Sequence, residues 1–290
     1  MNLVTVLDIV IGGLLMGGIY ALIAMGLSLQ YGVARVLNIA HGEFIMLGAF
    51  ATWVLYTTLG INPLISLVIV GPVIFIIGYL LHRTLFRSLL KSSPSLPAFE
   101  GSSLLATFGL LYIIQNIAII IWSTSSKGYA YLASPVNLGG AIFATNRLVT
   151  LGFAVGIGLA FYIFLARTRM GKAIRAAAQD PETAGLMGVN INQVLAICFG
   201  FGALMAGLAG VLYSMCFSIQ TTMGLGFTVI AIIVVVLGGL GSIPGSFLGG
   251  FILGIIGQIV THFEPSLSLA AYYSIFIVLL LVRPKGIMGK

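Results

Sequence analysis

Charge is what this sequence has least of. Asp, Glu, Lys and Arg together make up 7% of its 290 residues, where soluble domains carry about 25%. There are six acidic residues and three histidines. Nothing in their spacing resembles a Ser/His/Asp or Cys/His arrangement, so an enzyme has little support. Cysteine is also scarce. Cys198 and Cys216 fall within or beside one predicted helix. At ~1.5 Å rise per residue they stand roughly 27 Å apart, too far for a disulfide in one straight helix, and they are expected to be packing residues. No GxxxxGK[ST] phosphate loop is present, so this chain is not expected to hydrolyse ATP. Met1 to Asp8 contain no Lys or Arg, so the basic region of a cleavable signal peptide is missing. Apolar runs are continuous rather than alternating, which excludes a β-barrel.

What is abundant is apolar surface. The hydrophobic share is 60% and the mean hydropathy is +1.17. A soluble fold of this length cannot bury so much, because surface-to-volume scaling leaves too much of it outside. The 38 glycines suit membrane helices that approach closely or are interrupted. The expectation is an all-α polytopic membrane protein of about eight to nine transmembrane segments with broken or re-entrant helices. It forms a single transmembrane domain over residues 1–290. The net charge of +7 is read as topology rather than nucleic-acid binding, with the lipid bilayer as the surrounding medium.

A span needs ~20 apolar residues. Segments are expected at 9–30, 38–58, 64–81, 103–122, 148–166, 193–213, 227–237, 246–263 and 269–282, the seventh short and the 214–226 stretch before it a break. The Tyr31–Leu37 break, the Ser92–Gly101 stretch and the polar 123–146 interval read as irregular. Within that last interval Val136–Phe143 suits a strand or hairpin. The Arg283-Pro284-Lys285 sequence is expected to stop the last helix. Placing Arg35, the 83–91 cluster, the 167–175 cluster and the C-terminus on one side collects eleven of thirteen basic residues. That puts the N-terminus outside and the C-terminus in the cytoplasm.

The longest polar interval, 167–192, carries four of the basic and two of the acidic residues. Arg167, Arg169, Lys172 and Arg175 suit an anionic leaflet. Met170–Ala178 favours a helix, with Ala176, Ala177 and Ala178 in succession. Asp180-Pro181-Glu182 reads as a second helix start: N-cap, first helical residue and acid in the first turn. Gly188 and Asn190 end it. The exposed positions, Ala176–Ala178, Ala184 and Gly185, are expected to form a small-residue surface that a partner groove can close around.

Asn38, His41, Gly42 and Glu43 lie beside the first break. His41 and Glu43 are two apart and point to different helix faces, so they are no metal pair and no catalytic dyad. They are either caps and snorkelling groups at the cytoplasmic interface or part of a broken helix lining a pathway. Gly238, Gly239, Gly241 and Pro244, in GGLGSIPG, make either a tight cytoplasmic loop or a hinge. Ala203/Gly207 and Ala206/Gly210 have small-xxx-small spacing and suit close helix packing, within the subunit or against a partner. His41–Phe50 faintly echoes Pro244–Phe251, each following a glycine-containing break.

The run GKAIRAAAQDPETAGLMGVN resembles the cytoplasmic loop of branched-chain amino acid ABC transporter permeases, which show RAxAxDPxxAxLMGIN between two spans. The opening GGIYALIAMGLSLQYGVARVLNIAHGEFIMLGAF, the GGLGSIPGSFLGG segment and the ending LVRPKGIMG are similar to the same family, in the same order. The match is nearest the LivH-type subunit. The resemblance implies one permease subunit of an ATP-driven importer, in a bacterial or archaeal inner membrane. It implies a second permease subunit, two ATP-binding subunits and a soluble binding protein as partners. The cargo it implies is an apolar, branched-chain amino acid, with urea or a short amide as the alternative. An ion-coupled secondary transporter is the alternative from another class. The coupling helix would lie within Gly171–Asn190, and neither a cofactor nor a metal is implied.

Overall fold

The computed structural model describes residues 3–138, 140–283 and 285–289. Met1, Asn2, Gly139, Pro284 and Lys290, which enter the expectations above, lie outside the described residues. Among the described residues there are twelve α-helices: α1 (Leu3–Ala34), α2 (His41–Leu59), α3 (Pro63–Leu81), α4 (Arg87–Ser92), α5 (Leu96–Trp122), α6 (Thr145–Arg167), α7 (Arg169–Gln179), α8 (Pro181–Leu186), α9 (Ile191–Ser214), α10 (Gly224–Gly238), α11 (Ile243–Phe263) and α12 (Ser268–Val282). A π turn, His82–Phe86, joins α3 to α4. A two-stranded antiparallel hairpin, β1 (Pro135–Leu138) and β2 (Ala141–Ala144), precedes α6.

Eight helical stretches among the described residues are long and apolar enough to cross a membrane, and Gly224–Gly238 is shorter. At ~1.5 Å per residue α10 spans roughly 22 Å, short of a hydrocarbon core of about 30 Å. The all-α polytopic class is therefore what the chain adopts. The periphery carries rows of exposed aliphatic side chains, among them Val68, Leu105, Ile120 and Leu281. Lipid leaves such rows unpenalised, whereas water does not.

The bundle is built around α9, which packs on α1, α2 and α3, while α1 lies along α11. The α1–α11 crossing is a two-sided small-residue contact. A Cβ on Gly13 would stand 2.8 Å from the Ile255 Cα, and one on Gly17 2.7 Å from the Phe251 Cα. With no side chain between them the backbones approach closely, and dispersion replaces the hydrophobic drive that lipid cannot supply. The expected small-residue contacts of α9 form within the chain: Gly207 meets Ile74, and Gly210 meets the Ile45 carbonyl. Cys198 and Cys216 are both free, as their separation required.

Two boundaries differ from the sequence reading. α1 runs on to Ala34, so the first break is 35–40 rather than 31–37; Arg35 starts it with φ 54°. Of the Ser92–Gly101 stretch only 93–95 lie outside a helix, between α4 and α5. Ser95 caps α5 by accepting from Ala98 N–H (3.4 Å), and Pro97 sits in the first turn, where its missing N–H costs nothing.

The bundle has two ends. At one, the β hairpin and the 123–134 segment lie over the ends of α2 and α9. There Lys127 and Ile219 exchange backbone hydrogen bonds (2.9 and 2.8 Å), Tyr129 Oη bonds Ser214 Oγ (2.9 Å), and Tyr131 Oη donates to Asn62 Oδ1 (2.8 Å). At the other lie α7, α8 and the α10–α11 turn. The tail folds back on that turn, with Ile287 N–H donating to the Leu237 carbonyl (2.9 Å) and Met288 N–H to Gly238 (3.0 Å). These are called the hairpin end and the loop end below.

Candidate functional site: a helix corner at the loop end and a buried break

The loop-end corner forms as its sequence dictates. Thr168 caps α7, accepting from Gly171 N–H (3.0 Å). Gly171, Ile174 and Ala177 recur at helical spacing and are buried toward the bundle. The Arg175 guanidinium donates to the Leu165 carbonyl and ties α7 to α6. Asp180 ends α7 and caps α8: its Oδ1 accepts from Glu182 N–H (3.0 Å) and Thr183 N–H (3.1 Å), and Oδ2 from the Thr183 hydroxyl. Those bonds, the Thr183 hydroxyl first, hold the Asp180 carboxyl below the usual range. Pro181 stands first in α8, Glu182 is exposed beside it, and Gly188 closes the corner at φ 87°.

The expected small-residue surface is not what the corner presents. Ala177 and Ala184 are buried, Ala176 and Ala178 half-buried, and only Gly185 of that set is exposed. The outermost groups are Leu186 and Met187, 89% and 83% exposed. Ala177 and Ala184 seat α7 and α8 on the bundle rather than facing outward. The sequence signal for the apolar tip was Leu186-Met187 placed one turn after a capped start, inside a polar interval.

Asn38, His41 and Glu43 do not sit at an interface. All three are fully buried, so the cap-and-snorkel alternative is overturned. α2 begins at Ala40 without a side-chain cap. His41 Nε2 lies 3.0 Å from the Ile23 carbonyl and donates to it. Ile23 is eleven residues short of the end of α1, roughly 16 Å up from the loop end. The break 35–40 thus climbs back from the end of α1 to mid-depth before α2 starts.

Irregular backbone at that depth survives only if protein satisfies it, and side chains do so here. Thr228 Oγ1 accepts from Gly42 N–H (2.8 Å) and donates to the Ile39 carbonyl (2.8 Å). Thr107 Oγ1 accepts from Ile39 N–H (3.2 Å). Asn38 donates to Gln30 Oε1 (3.3 Å), and Gln30 donates to the Phe199 carbonyl (3.1 Å). Gln30, Thr107 and Thr228 carried no sequence signal of this role, because each sits alone in an apolar span.

Gly42 and Glu43 both face Gly224, the first residue of α10, and neither glycine has room for a Cβ against the other segment. Two helices therefore begin side by side at mid-depth, α2 running to the hairpin end and α10 to the loop end. Both Glu43 carboxylate oxygens are buried without a partner, as is Asn38 Oδ1.

Gly238, Gly239, Gly241 and Pro244 are not brought to this break. They form a tight turn at the loop end, with φ 104° at Gly239 and 78° at Gly241. Ser242 caps α11 by accepting from Gly245 N–H (3.2 Å), and Pro244 lies in its first turn. The echo between His41–Phe50 and Pro244–Phe251 has a structural counterpart. Gly42 meets the start of α10 at Gly224, and Gly245 meets its end at Gly238. The turn does meet the corner: Gly241 and Pro244 share with Arg175, Ala178, Ser28 and Gly32 the lining of a cavity of about 510 Å³.

Comparison with known proteins follows this geometry. Residues 9–283 match the family described as branched-chain amino acid transport system / permease component. The chain is 30% identical to the high-affinity branched-chain amino acid transport system permease protein BraD of Pseudomonas aeruginosa, over 97% of this chain and 94% of that one. It is 30% identical to LivH of Escherichia coli, over 96% and 94%. A ribose import permease protein of Escherichia coli, RbsC, is 26% identical over 60% of this chain and 56% of its own. The family match spans every element from α1 to α12, and the chain belongs to the branched-chain amino acid transport permease family.

Proposed function

We propose that this chain is one membrane subunit of an ATP-driven importer of branched-chain, apolar amino acids. It pairs with a second permease subunit and with two ATP-binding subunits, and takes its cargo from a soluble binding protein. It lies in the cytoplasmic membrane of a bacterium or archaeon, with the loop end and the C-terminus inside and the N-terminus outside. Full-length similarity to proteins named for branched-chain amino acids favours that cargo over urea or a short amide. An ion-coupled carrier needs ligands for its ion in the spans, and Glu43 is the one buried carboxylate among the described residues.

The observation that carries the coupling part is the Leu186–Met187 tip: two large apolar groups held out on a capped, preformed corner. An ATP-binding subunit grips Asp180–Gly188 there and moves α7. The turn Gly238–Pro244 follows through the shared cavity, and the break at Asn38–Glu43 opens or closes the path. The tied-down 123–144 segment at the hairpin end receives the binding protein.

Proteoliposomes holding the chain with its permease and ATPase partners test this. Leucine uptake is expected only with ATP inside, binding protein outside and Leu186 and Met187 intact, unaffected by proton or sodium ionophores. Uptake without ATP, abolished by an ionophore, refutes the importer. Competition by urea in place of valine refutes the cargo.

A further inference from the structure

We infer that the loop end carries a site for the phosphate of an anionic membrane lipid, between the α3–α4 junction and the start of α9. A cavity of about 360 Å³ there is lined by Tyr79, Arg83, Arg87, Asn190, Asn192 and Gln193, with no acidic residue. Two guanidiniums without a counter-charge repel each other across it, and a shared anion removes that repulsion. The Arg87 Nε–H is buried and has no acceptor, a state that costs free energy until an acceptor arrives. Arg83 is steadied over the Tyr79 ring, 5.6 Å from its centroid.

The local structure explains why both arginines face one cavity. The His82–Phe86 π turn lies between α3 and α4 without breaking the helical path, and residues four apart share one face. Arg83 and Arg87 have that spacing. Opposite them is the N-terminus of α9, a helix of 24 residues. The Asn190 side chain caps only the Gln193 N–H (3.1 Å). The first N–H groups of α9 have no carbonyl of their own helix to bind, and with the helix dipole they favour an anion.

What selects a lipid over free phosphate is the approach to the cavity. Ile69, Val73, Ile76 and Leu80 are all exposed on α3. Their spacing of four, three and four continues through Arg83 to Arg87 on one face. Acyl chains lying along that apolar row place a headgroup phosphate at the two guanidiniums, where planar forks bind phosphate oxygens bidentately. The site abuts the segment between α8 and α9, so its occupancy bears on how firmly the corner is held. The inference rests on no reading of the cargo.

Native mass spectrometry of the full-length chain in detergent tests it, with phosphatidylglycerol, phosphatidylcholine or inorganic phosphate added. Wild type is expected to retain phosphatidylglycerol and not phosphatidylcholine, and millimolar phosphate is expected not to displace the lipid. Arg83→Gln with Arg87→Gln is expected to lower phosphatidylglycerol retention about tenfold or more, the loss of charge-assisted bonds. Asn192→Asp changes an exposed residue and puts a negative charge at the rim, so it reports on the site if the double variant fails to fold. Its expected effect is the same loss. Phosphatidylglycerol retention equal to wild type in a folded variant overturns the site. Equal retention of phosphatidylcholine by wild type does so too. Displacement by inorganic phosphate overturns the lipid and leaves a free-anion site.

Discussion

Replacing both Leu186 and Met187 by Asp separates docking from folding. The two side chains are 89% and 83% exposed, so they contribute almost nothing to the isolated chain. Surface substitutions of this kind change stability by about 0.5 kcal/mol or less. If a partner groove buries them, each is worth about 1.5–3 kcal/mol on transfer out of water. The pair then supplies about 3–6 kcal/mol, or roughly 10²–10⁴ in Kd. Interface costs cut the realised share, so at least a hundredfold weakening is expected, and desolvating two carboxylates adds to it. The assay is titration of the purified ATP-binding subunit onto the permease pair in nanodiscs, with a thermal melt of each variant. Ala177→Asp is the contrasting variant. Ala177 is buried against the bundle, so its replacement is expected to lower the melting temperature as well as the affinity. An unchanged Kd for Leu186→Asp/Met187→Asp, with an unchanged melt, would falsify the apolar-tip reasoning.

Three other outcomes follow from the same geometry. Thr228→Val keeps the side-chain shape but strands the Gly42 N–H and the Ile39 carbonyl, at about 1–3 kcal/mol for each group; thermal unfolding in detergent reads the loss, and no change would mean the break finds its partners elsewhere. The Asp180 carboxyl is held low by Thr183 and two N–H groups. Its contribution to α8 is therefore full above the ordinary Asp value near ~3.9 and lost as pH falls through the lower folded value. The protection factors of the Thr183 and Ala184 amides, with the intrinsic pH dependence of exchange divided out, are expected to stay constant from neutral pH down to about pH 5; a fall already at pH 6 contradicts it. For orientation, Leu186→Cys is expected to react with a membrane-impermeant maleimide only in inside-out vesicles, and Ser125→Cys only in right-side-out ones. The native thiols leave this signal clean, since Cys198 is buried and burial pushes the Cys216 thiol up. The reverse pattern inverts the topology.

The class and the helix order were legible because lipid imposes its rule on every residue of a span. A long apolar run has no other solution once backbone groups must be satisfied internally. The α7–α8 corner was legible because Asp180-Pro181 encodes a helix start locally, through groups two and three residues away. Its surface was misread because a run of alanines looks the same whether it faces a groove or is seated under a neighbour. Only the packing of Ile174 and Ala177 on the bundle decides which. The break was misplaced for a related reason. Its depth is set by Ile23, Thr107 and Thr228, which are distant in sequence and individually unremarkable.

The short helix α10 ties the two regions together. Its first residue, Gly224, lies against Gly42 and Glu43 at mid-depth, and its last, Gly238, lies against Gly245 and the tail at the loop end. Fourteen residues apart, these contacts are roughly 21 Å from each other along one rigid element. At the loop end Gly238 and Gly245 meet backbone to backbone, whereas at the break Gly224 meets the Glu43 carboxylate and Gly42 meets the Gly224 carbonyl and the Thr228 hydroxyl. On the proposed reading, a displacement of α7 reaches the Gly238–Pro244 turn through the cavity they share, and α10 carries it to the break. A longer α10 would run from face to face instead of beginning at the break. On that reading its length of 15 residues, too short for a crossing, lets one helix link the loop end to Glu43 at mid-depth.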